Sequence, residues 1–251
     1  MPLPLQTRRT GNPAFNAFAR TSRVGFGVEG MTLDGTVNKS FLLLVVLMAC
    51  ALWPWSQALA GNLQAVGGEM MLGLIGGFIL ALIISFKPTT APYLALPYAA
   101  LEGVVLGGIS AEFNLRYPGI AIEAVAATFA VAVVMLVLYR TRVIRVTARF
   151  RAMVMGATLG IALLYVASMI LGFFHVAVPF INSASPIGIG FSVLVVGIAA
   201  FNLALDFDMI EQGAAGGAPK YMEWYGAFAL MVTMVWMYLE MLRLLAKIQQ
   251  R

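Results

Sequence analysis

The sequence predicts an all-α polytopic membrane protein with seven transmembrane helices. Hydrophobic residues make up 61% of the 251-residue chain and charged residues only 11%, whereas about a quarter of the residues in soluble domains are charged. A stretch of 54 residues, Ala152–Leu205, has no Asp, Glu, Lys or Arg, and one span needs only about 20 residues. Apolar residues run continuously instead of alternating with polar ones, which favours helices over the strands of a membrane barrel.

Charged residues and turn formers divide the chain into candidate spans. The seven predicted spans are 40–59, 66–86, 91–112, 119–139, 152–174, 185–206 and 222–245. The third is the least apolar because Glu102 lies in its middle. Pro88 and Pro92 before it and Tyr117–Gly119 after it nevertheless delimit a helix of suitable length.

The chain divides into a polar cytoplasmic arm, residues 1–38, and a transmembrane domain, residues 39–251. The arm contains four arginines and no apolar run, and no signal-peptide pattern precedes the first span. With the N-terminus inside, twelve Lys and Arg residues lie on the inner side and four on the outer side. The positive-inside rule therefore predicts a cytoplasmic N-terminus and, with seven spans, an external C-terminus.

The composition also excludes several classes of protein. The net charge of +5 is read as a topology signal, so we expect no nucleic-acid partner, and the partner of the apolar surface is a lipid bilayer. Cys50 is the only cysteine and His175 the only histidine, so neither a disulfide nor a zinc or haem site is expected. No clustered nucleophile and base stands out. We therefore expect no enzyme and no bound cofactor.

Glu102 is the deepest ionisable residue. A charged side chain inside a span costs about 2.5–3.5 kcal/mol on insertion scales, which makes it a functional hypothesis by default. Glu102 lies about 16 Å along the predicted helix from Ala91, half of the hydrocarbon thickness. With no Lys or Arg at matching depth, we expect it to be protonated, hydrated or hydrogen-bonded. Two interpretations stay open: a neutral acid that joins two helices, and a proton or cation site.

A second group of acids, Asp206, Asp208 and Glu211, lies at the predicted end of span six. On a helix Asp206 and Asp208 point about 200° apart, whereas Asp208 and Glu211 share a face. Either the three acids form a solvated helix end, or one of them faces the bundle. In span seven, Glu240 and Arg243 have the spacing of a local pair near the interface, which is worth little.

Several motifs together resemble the bacterial branch of the Bax inhibitor-1 family, also called the transmembrane BAX inhibitor motif family. They occur along nearly the whole chain as Asn12–Phe15, Met31–Thr36, Leu101–Gly107, Tyr117–Ile120, Asp206–Asp208, Gly217–Tyr225 and Leu239–Leu245. Each motif is short, but their order makes the resemblance specific.

The resemblance implies a seven-helix bundle of the bacterial inner membrane in which the last helix is central. It also implies a pH-sensitive calcium leak governed by two aspartates that share a proton, one on helix six and one on helix seven. Asp206 falls at the first position, but Thr233 stands where the second aspartate belongs. Glu102 matches a family glutamate on helix three, and Lys87 lies near the basic residue that closes the pore.

The predicted function is therefore a pH-sensitive cation leak channel or sensor gated near Asp206 and Asp208, with Glu102 on the pathway. Carboxylate oxygens suit a hard cation, so Ca²⁺ is the leading transported ion, with a candidate site at Asp206 and H⁺ as a further partner. Glu211 and Glu240 are supporting acids.

The alternative is a non-conducting membrane interaction protein that regulates a membrane protease or a stress response. Its contacts would be the polar arm and the arginine-rich loop Arg140–Arg151, which could bind a protein partner or anionic lipid. Five arginines in this loop are also what topology alone produces.

Overall fold

A computed structural model describes residues 30–174 and 183–250 as a helical bundle. Its helices are α1 (Leu33–Leu59), α2 (Leu63–Phe86), α3 (Ala91–Arg116), α4 (Ile120–Arg140), α5 (Ala148–Phe173), α6 (Pro186–Ala215) and α7 (Met222–Gln249). Each of these seven described helices is long and apolar enough to cross a membrane. The predicted all-α, seven-span architecture is confirmed for this part of the chain.

The first helix begins at Leu33, earlier than the predicted span and inside the predicted arm. Thr32 caps it, because the Thr32 side chain accepts a hydrogen bond from the Gly35 amide at 3.0 Å, and Asp34 complements the dipole of the first turn. Residues 1–29 of the arm lie outside the described residues.

The sixth helix continues to Ala215 instead of ending near residue 206. The acids of this region do not interrupt a helix, whereas Gly217 has φ +66°, a left-handed conformation that ends helices readily. Asp206, Asp208 and Glu211 consequently lie within a helix that has tertiary neighbours on several sides.

The last helix is central, as the resemblance implied. α7 packs against α1, α3, α4 and α6, and residues on most of its circumference are buried. Its side chains Phe228, Met231, Val235 and Leu242 belong to the largest cluster of buried hydrophobic residues. Several polar residues of α7, including Glu223, Thr233, Glu240 and Lys247, are consequently buried in protein.

Small residues bring α3 close to α1. A Cβ atom added at Gly103 or Gly107 would collide with the backbone carbonyls of Leu47 and Ala51. Gly156 on α5 begins a stretch with the same small-xxx-small spacing, but a Cβ added there would have no neighbour within 4 Å. The spacing serves close packing on α3 and leaves the α5 face open within this chain.

The helices alternate in direction, which gives the bundle two ends. At the proximal end, where α1 begins, Glu223 of α7 contacts Thr32. At the distal end, Lys247 of α7 contacts Gly188 at the start of α6. The proximal end is the one that the basic residues predict to be cytoplasmic.

Candidate functional site

Asp206 lies on α6 and faces α7. Its carboxyl group lies next to the Thr233 side chain and within electrostatic range of the Tyr225 hydroxyl. The Oδ2 atom of Asp206 is buried and has no hydrogen-bond partner in the described part of the chain. Thr233, which the resemblance places at the second aspartate position, is therefore a direct neighbour of Asp206.

The Thr233 hydroxyl donates its single hydrogen to the Ala229 carbonyl, one turn earlier on α7, at 3.2 Å. An ionised Asp206 would take the Thr233 hydrogen. A protonated Asp206 would donate its own hydrogen to Thr233 and leave the threonine free to donate to Ala229. The pair therefore has a hydrogen-bonding arrangement for each protonation state of Asp206.

Asp208 points away from Asp206, as helical geometry predicts, but it is not solvated. It is only 7% exposed. Its Oδ2 atom accepts hydrogen bonds from Arg151 of α5 at 2.7 Å and from Gln212 at 2.6 Å. The interpretation of this acid as a solvated helix end is wrong, because the start of α5 covers it.

Glu211 shares the Asp208 face and is more open. It pairs with Arg142 at 3.0 Å, and Tyr139 of α4 donates a hydrogen bond to it. The Tyr139 hydroxyl also lies 3.4 Å from Asp208. These contacts connect the arginine-rich loop to the proximal part of α6.

Glu102 occupies a separate place between α2 and α3. Its side chain lies next to that of Tyr98, one turn earlier, and its carboxylate lies close to Gly77 of α2. The Tyr98 ring packs edge-on against Phe228 of α7, with a centroid distance of 5.0 Å. The structure thus places a tyrosine hydroxyl beside Glu102 and separates this acid from Asp206.

Lys87 lies at the C-terminal end of α2, where its carbonyl accepts hydrogen bonds from the Thr90 amide and hydroxyl at 2.9 and 2.8 Å. The Lys87 side chain is exposed. Its role as a gate stays a prediction.

Glu240 is a buried acid and not a weak interfacial one. It is 1% exposed and accepts hydrogen bonds from the Tyr165 hydroxyl, at 2.9 Å from each carboxylate oxygen, and from Arg243 at 2.9 Å. The Arg243 guanidinium also stacks over the Tyr165 ring at 5.0 Å. The predicted local pair exists, but a tyrosine of α5 encloses it.

Glu223 was not among the predicted site residues, although it is completely buried at the start of α7. It accepts hydrogen bonds from the Thr32 amide and hydroxyl at 2.9 Å each. Lys39 donates to it as well, and Lys220 lies 3.3 Å away. We call Thr32, Lys39, Lys220 and Glu223 the proximal clasp. The sequence could have pointed to this cluster, because Thr32 and Glu223 both lie in motifs that carry the family resemblance.

Lys247 was likewise missed as a site residue. It is 5% exposed and donates hydrogen bonds to the Gly188 carbonyl at 3.1 Å and to the Ser192 hydroxyl at 2.7 Å. The sequence does contain a pattern that could have pointed to Lys247, because Thr233, Glu240 and Lys247 follow each other at intervals of seven residues.

The described residues contain no group of three or more His, Cys, Asp or Glu side chains that could hold a metal ion. Resident calcium sites in proteins have six to eight oxygen ligands. The acids of this bundle are instead distributed along it, so that a cation would meet one or two carboxylates at a time.

A bundle of membrane-spanning helices with acids enclosed around a central helix defines the class of this protein: a polytopic membrane protein with ionisable groups in its interior. The family described as Bax inhibitor 1 like matches residues 12–250. The chain therefore belongs to this family, which is membrane-associated. No curated protein and no solved structure matches the chain.

Proposed function

We propose that the protein is a pH-sensitive cation leak channel or sensor of the bacterial inner membrane, controlled at Asp206. The leading cation is Ca²⁺. The observation that supports the proposal is the position of Asp206, which faces α7 and whose Oδ2 atom is buried without a hydrogen-bond partner in the described part of the chain. Ionisable residues inside membrane proteins mark ion and proton pathways.

The contact with Thr233 explains how a single acid could respond to pH. The neutral carboxyl group donates to Thr233, and the local charge is zero. The ionised carboxylate accepts from Thr233 and presents a negative charge with a free oxygen, which attracts a cation. Asp208 lies on another face of α6 and forms an ion pair with Arg151. This pair closes the proximal end of the path to Asp206, so Asp206 is the acid that responds to pH.

The test is calcium flux into proteoliposomes over a range of pH. We compare the parent protein with Asp206→Asn and Glu102→Gln, which remove each charge and preserve side-chain size. Asp34→Asn is the matched control, because Asp34 is exposed at the start of α1. We expect Asp206→Asn to reduce the flux and its pH dependence, and the control to behave as the parent.

Equal flux in the parent, Asp206→Asn and Glu102→Gln contradicts the proposal, as does flux that does not exceed that of empty vesicles. The proposed transport involves no enzymatic step and no bound cofactor. The proposed orientation, with a cytoplasmic N-terminus and an external C-terminus, follows from the basic residues.

One observation favours the alternative role as an interaction protein. Arg142 and Arg151 are engaged with acids of α6, but Arg140, Arg145 and Arg149 of the same loop are exposed. These three side chains could bind a membrane protease or anionic headgroups. Crosslinking from this loop in membranes, followed by identification of the partner, separates a protein contact from a lipid contact.

A further inference from the structure

One face of α5 is organised differently from the rest of that helix. Arg151, Thr158 and Tyr165 follow each other at intervals of seven residues. Val154 and Ile161, which alternate with them, are the buried residues of α5. The stripe 151, 154, 158, 161 and 165 therefore forms the inward face of α5, and it alternates polar with apolar side chains. The other faces are mostly exposed apolar residues suited to lipid.

Each polar residue of this stripe is hydrogen-bonded to a neighbouring helix. The three contacts are Arg151 with Asp208 at 2.7 Å, Thr158 with Asn202 at 2.7 Å, and Tyr165 with Glu240 at 2.9 Å. Between them they connect α5 to α6 at two levels and to α7 at a third. The interaction of α5 with the bundle thus depends on polar contacts throughout its length.

A parallel stripe runs along α7. Thr233, Glu240 and Lys247 are also seven residues apart, and Thr233 and Lys247 contact α6 at Asp206 and Ser192 respectively. We call the polar residues of the two stripes, together with Gly188, Ser192, Asn202 and Asp206 of α6, the α5–α7 seam. Asp208 points away from Asp206 and lies outside the seam.

The α5–α7 seam extends over the thickness of a bilayer. Its α6 members run from Gly188 to Asp206, which is about 27 Å at 1.5 Å per residue, close to the thickness of the hydrocarbon core. The polar residues on α5 and on α7 recur about every 10 Å along the axis. Polar groups at this depth are costly and concentrate along ion pathways.

Lys247 closes the distal end of the seam. Its ammonium group is held by a carbonyl oxygen and a hydroxyl oxygen, and neither of these partners carries a charge. Oxygen dipoles of this kind are also ligands for hard cations. The Lys247 ammonium group thus occupies a position where a mobile cation would bind.

We propose that cations cross the protein along the α5–α7 seam, with Glu240 as its distal carboxylate and Lys247 as a tethered cation that restricts flow at the distal end. This inference rests on the proposed function and adds the route to it. Asp206 then acts at the proximal part of the same route, whereas Glu102 lies outside it.

The first test is cation flux into proteoliposomes from full-length variants. Lys247→Met removes the tethered charge and should raise flux at least about tenfold, since one unit charge at about 10 Å in an effective dielectric of about 20 changes a barrier by that order. Lys247→Arg retains the charge and should match the parent. Glu240→Gln should lower flux by about tenfold for the same reason.

The matched control for Glu240→Gln is Glu112→Gln. Glu112 lies near the distal end of α3 and pairs with Arg116 on the surface, outside the seam. Glu112→Gln should therefore leave the flux at the parent value. If Glu240→Gln and Lys247→Met also give the parent value while Asp206→Asn reduces flux, the proposed function stands and the seam as its route is overturned.

A second measurement does not depend on flux. In a Cys50→Ser background, which removes the only native thiol, a hydrophilic thiol reagent is applied to Thr158→Cys and to Leu159→Cys. Thr158 lies in the seam, whereas Leu159 is exposed on the lipid-facing side. A hydrated seam predicts labelling of the first variant and protection of the second.

If Thr158→Cys is protected from the reagent as completely as Leu159→Cys, the seam is not the route, even if the parent protein conducts. Absence of flux from the parent overturns the proposed function and the route with it. Folding of each variant is followed by its elution from a sizing column in detergent. Lys247→Arg and Tyr165→Phe are milder changes at Lys247 and at the partner of Glu240.

Discussion

At the scale of single residues, Thr233 determines how Asp206 would respond to pH in the proposed function. Two carboxyl groups in one buried site cannot both ionise readily, so they share a proton. Here a hydroxyl faces Asp206 instead. It can donate or accept one hydrogen bond but brings no charge of its own, so Asp206 has to respond alone.

Restoring the second carboxyl should restore a coupled response. In Thr233→Asp, two acids face each other across α6 and α7, and we expect the flux to acquire a pH-dependent step that the parent lacks. Thr233→Asn is the matched control, because it has a similar shape and no charge. Calcium flux measured over pH in proteoliposomes checks this, and identical pH profiles for the two variants would contradict it.

Local spacing predicted some properties of the acids and not others. The opposite directions of Asp206 and Asp208 follow from helical geometry alone. The burial of Asp208 and Glu240 does not, because their partners Arg151 and Tyr165 lie 57 and 75 residues away in the sequence. Burial of an acid near a helix end depends on which helix covers it, and no local pattern encodes that choice.

At the scale of helices, the same spacing of two glycines has different consequences on α3 and on α5. Gly107 of α3 lies against the Ala51 backbone, whereas Gly160 of α5 has open space at the position of a Cβ atom. The spacing of small residues permits close approach, but the partner helix decides whether the approach occurs.

This difference predicts unequal effects of one added methyl group. Gly107→Ala should lower the free energy of unfolding by about 1–3 kcal/mol, because α1 has to move away from α3. Gly160→Ala should change it by no more than about 0.5 kcal/mol. Unfolding titrations of both variants in mixed detergent micelles measure the difference, and equal destabilisation would show that the α1–α3 contact is not tight.

At the scale of the whole molecule, the proximal clasp joins the first and last described helices. The carboxylate of Glu223 receives hydrogen bonds from Thr32 and Lys39, and a Cβ atom at Gly35 would collide with it. A side chain at position 35 would therefore displace the Glu223 carboxylate from its present position.

Removal of the acid should release the start of α1. Glu223→Ala leaves the Lys39 ammonium without its carboxylate, and loss of one member of a buried ion pair costs about 3–5 kcal/mol. We expect faster hydrogen–deuterium exchange across residues 31–39, measured by mass spectrometry in detergent. Asp34→Asn, an exposed change in the same turn, is the control. Unchanged exchange in Glu223→Ala would mean that apolar packing alone holds α1.

The fold as a whole could be predicted because lipid permits few solutions. Continuous apolar segments of sufficient length have to form helices whose backbone groups are internally satisfied, so the architecture and the approximate bounds follow from composition. The order of the helices around α7, the clasp and the α5–α7 seam involve contacts between distant segments. Hydropathy is insensitive to those contacts, and the helix order was available only through the family resemblance.

The separation of the clasp residues along the chain also bears on biogenesis. Thr32 and Glu223 are 191 residues apart, so a ribosome that adds about 5–20 residues per second needs on the order of 10–40 s between them. During that interval the first span resides in the bilayer before its final neighbour exists. Insertion machinery or a chaperone that shelters Lys39 until synthesis is complete would therefore favour correct assembly.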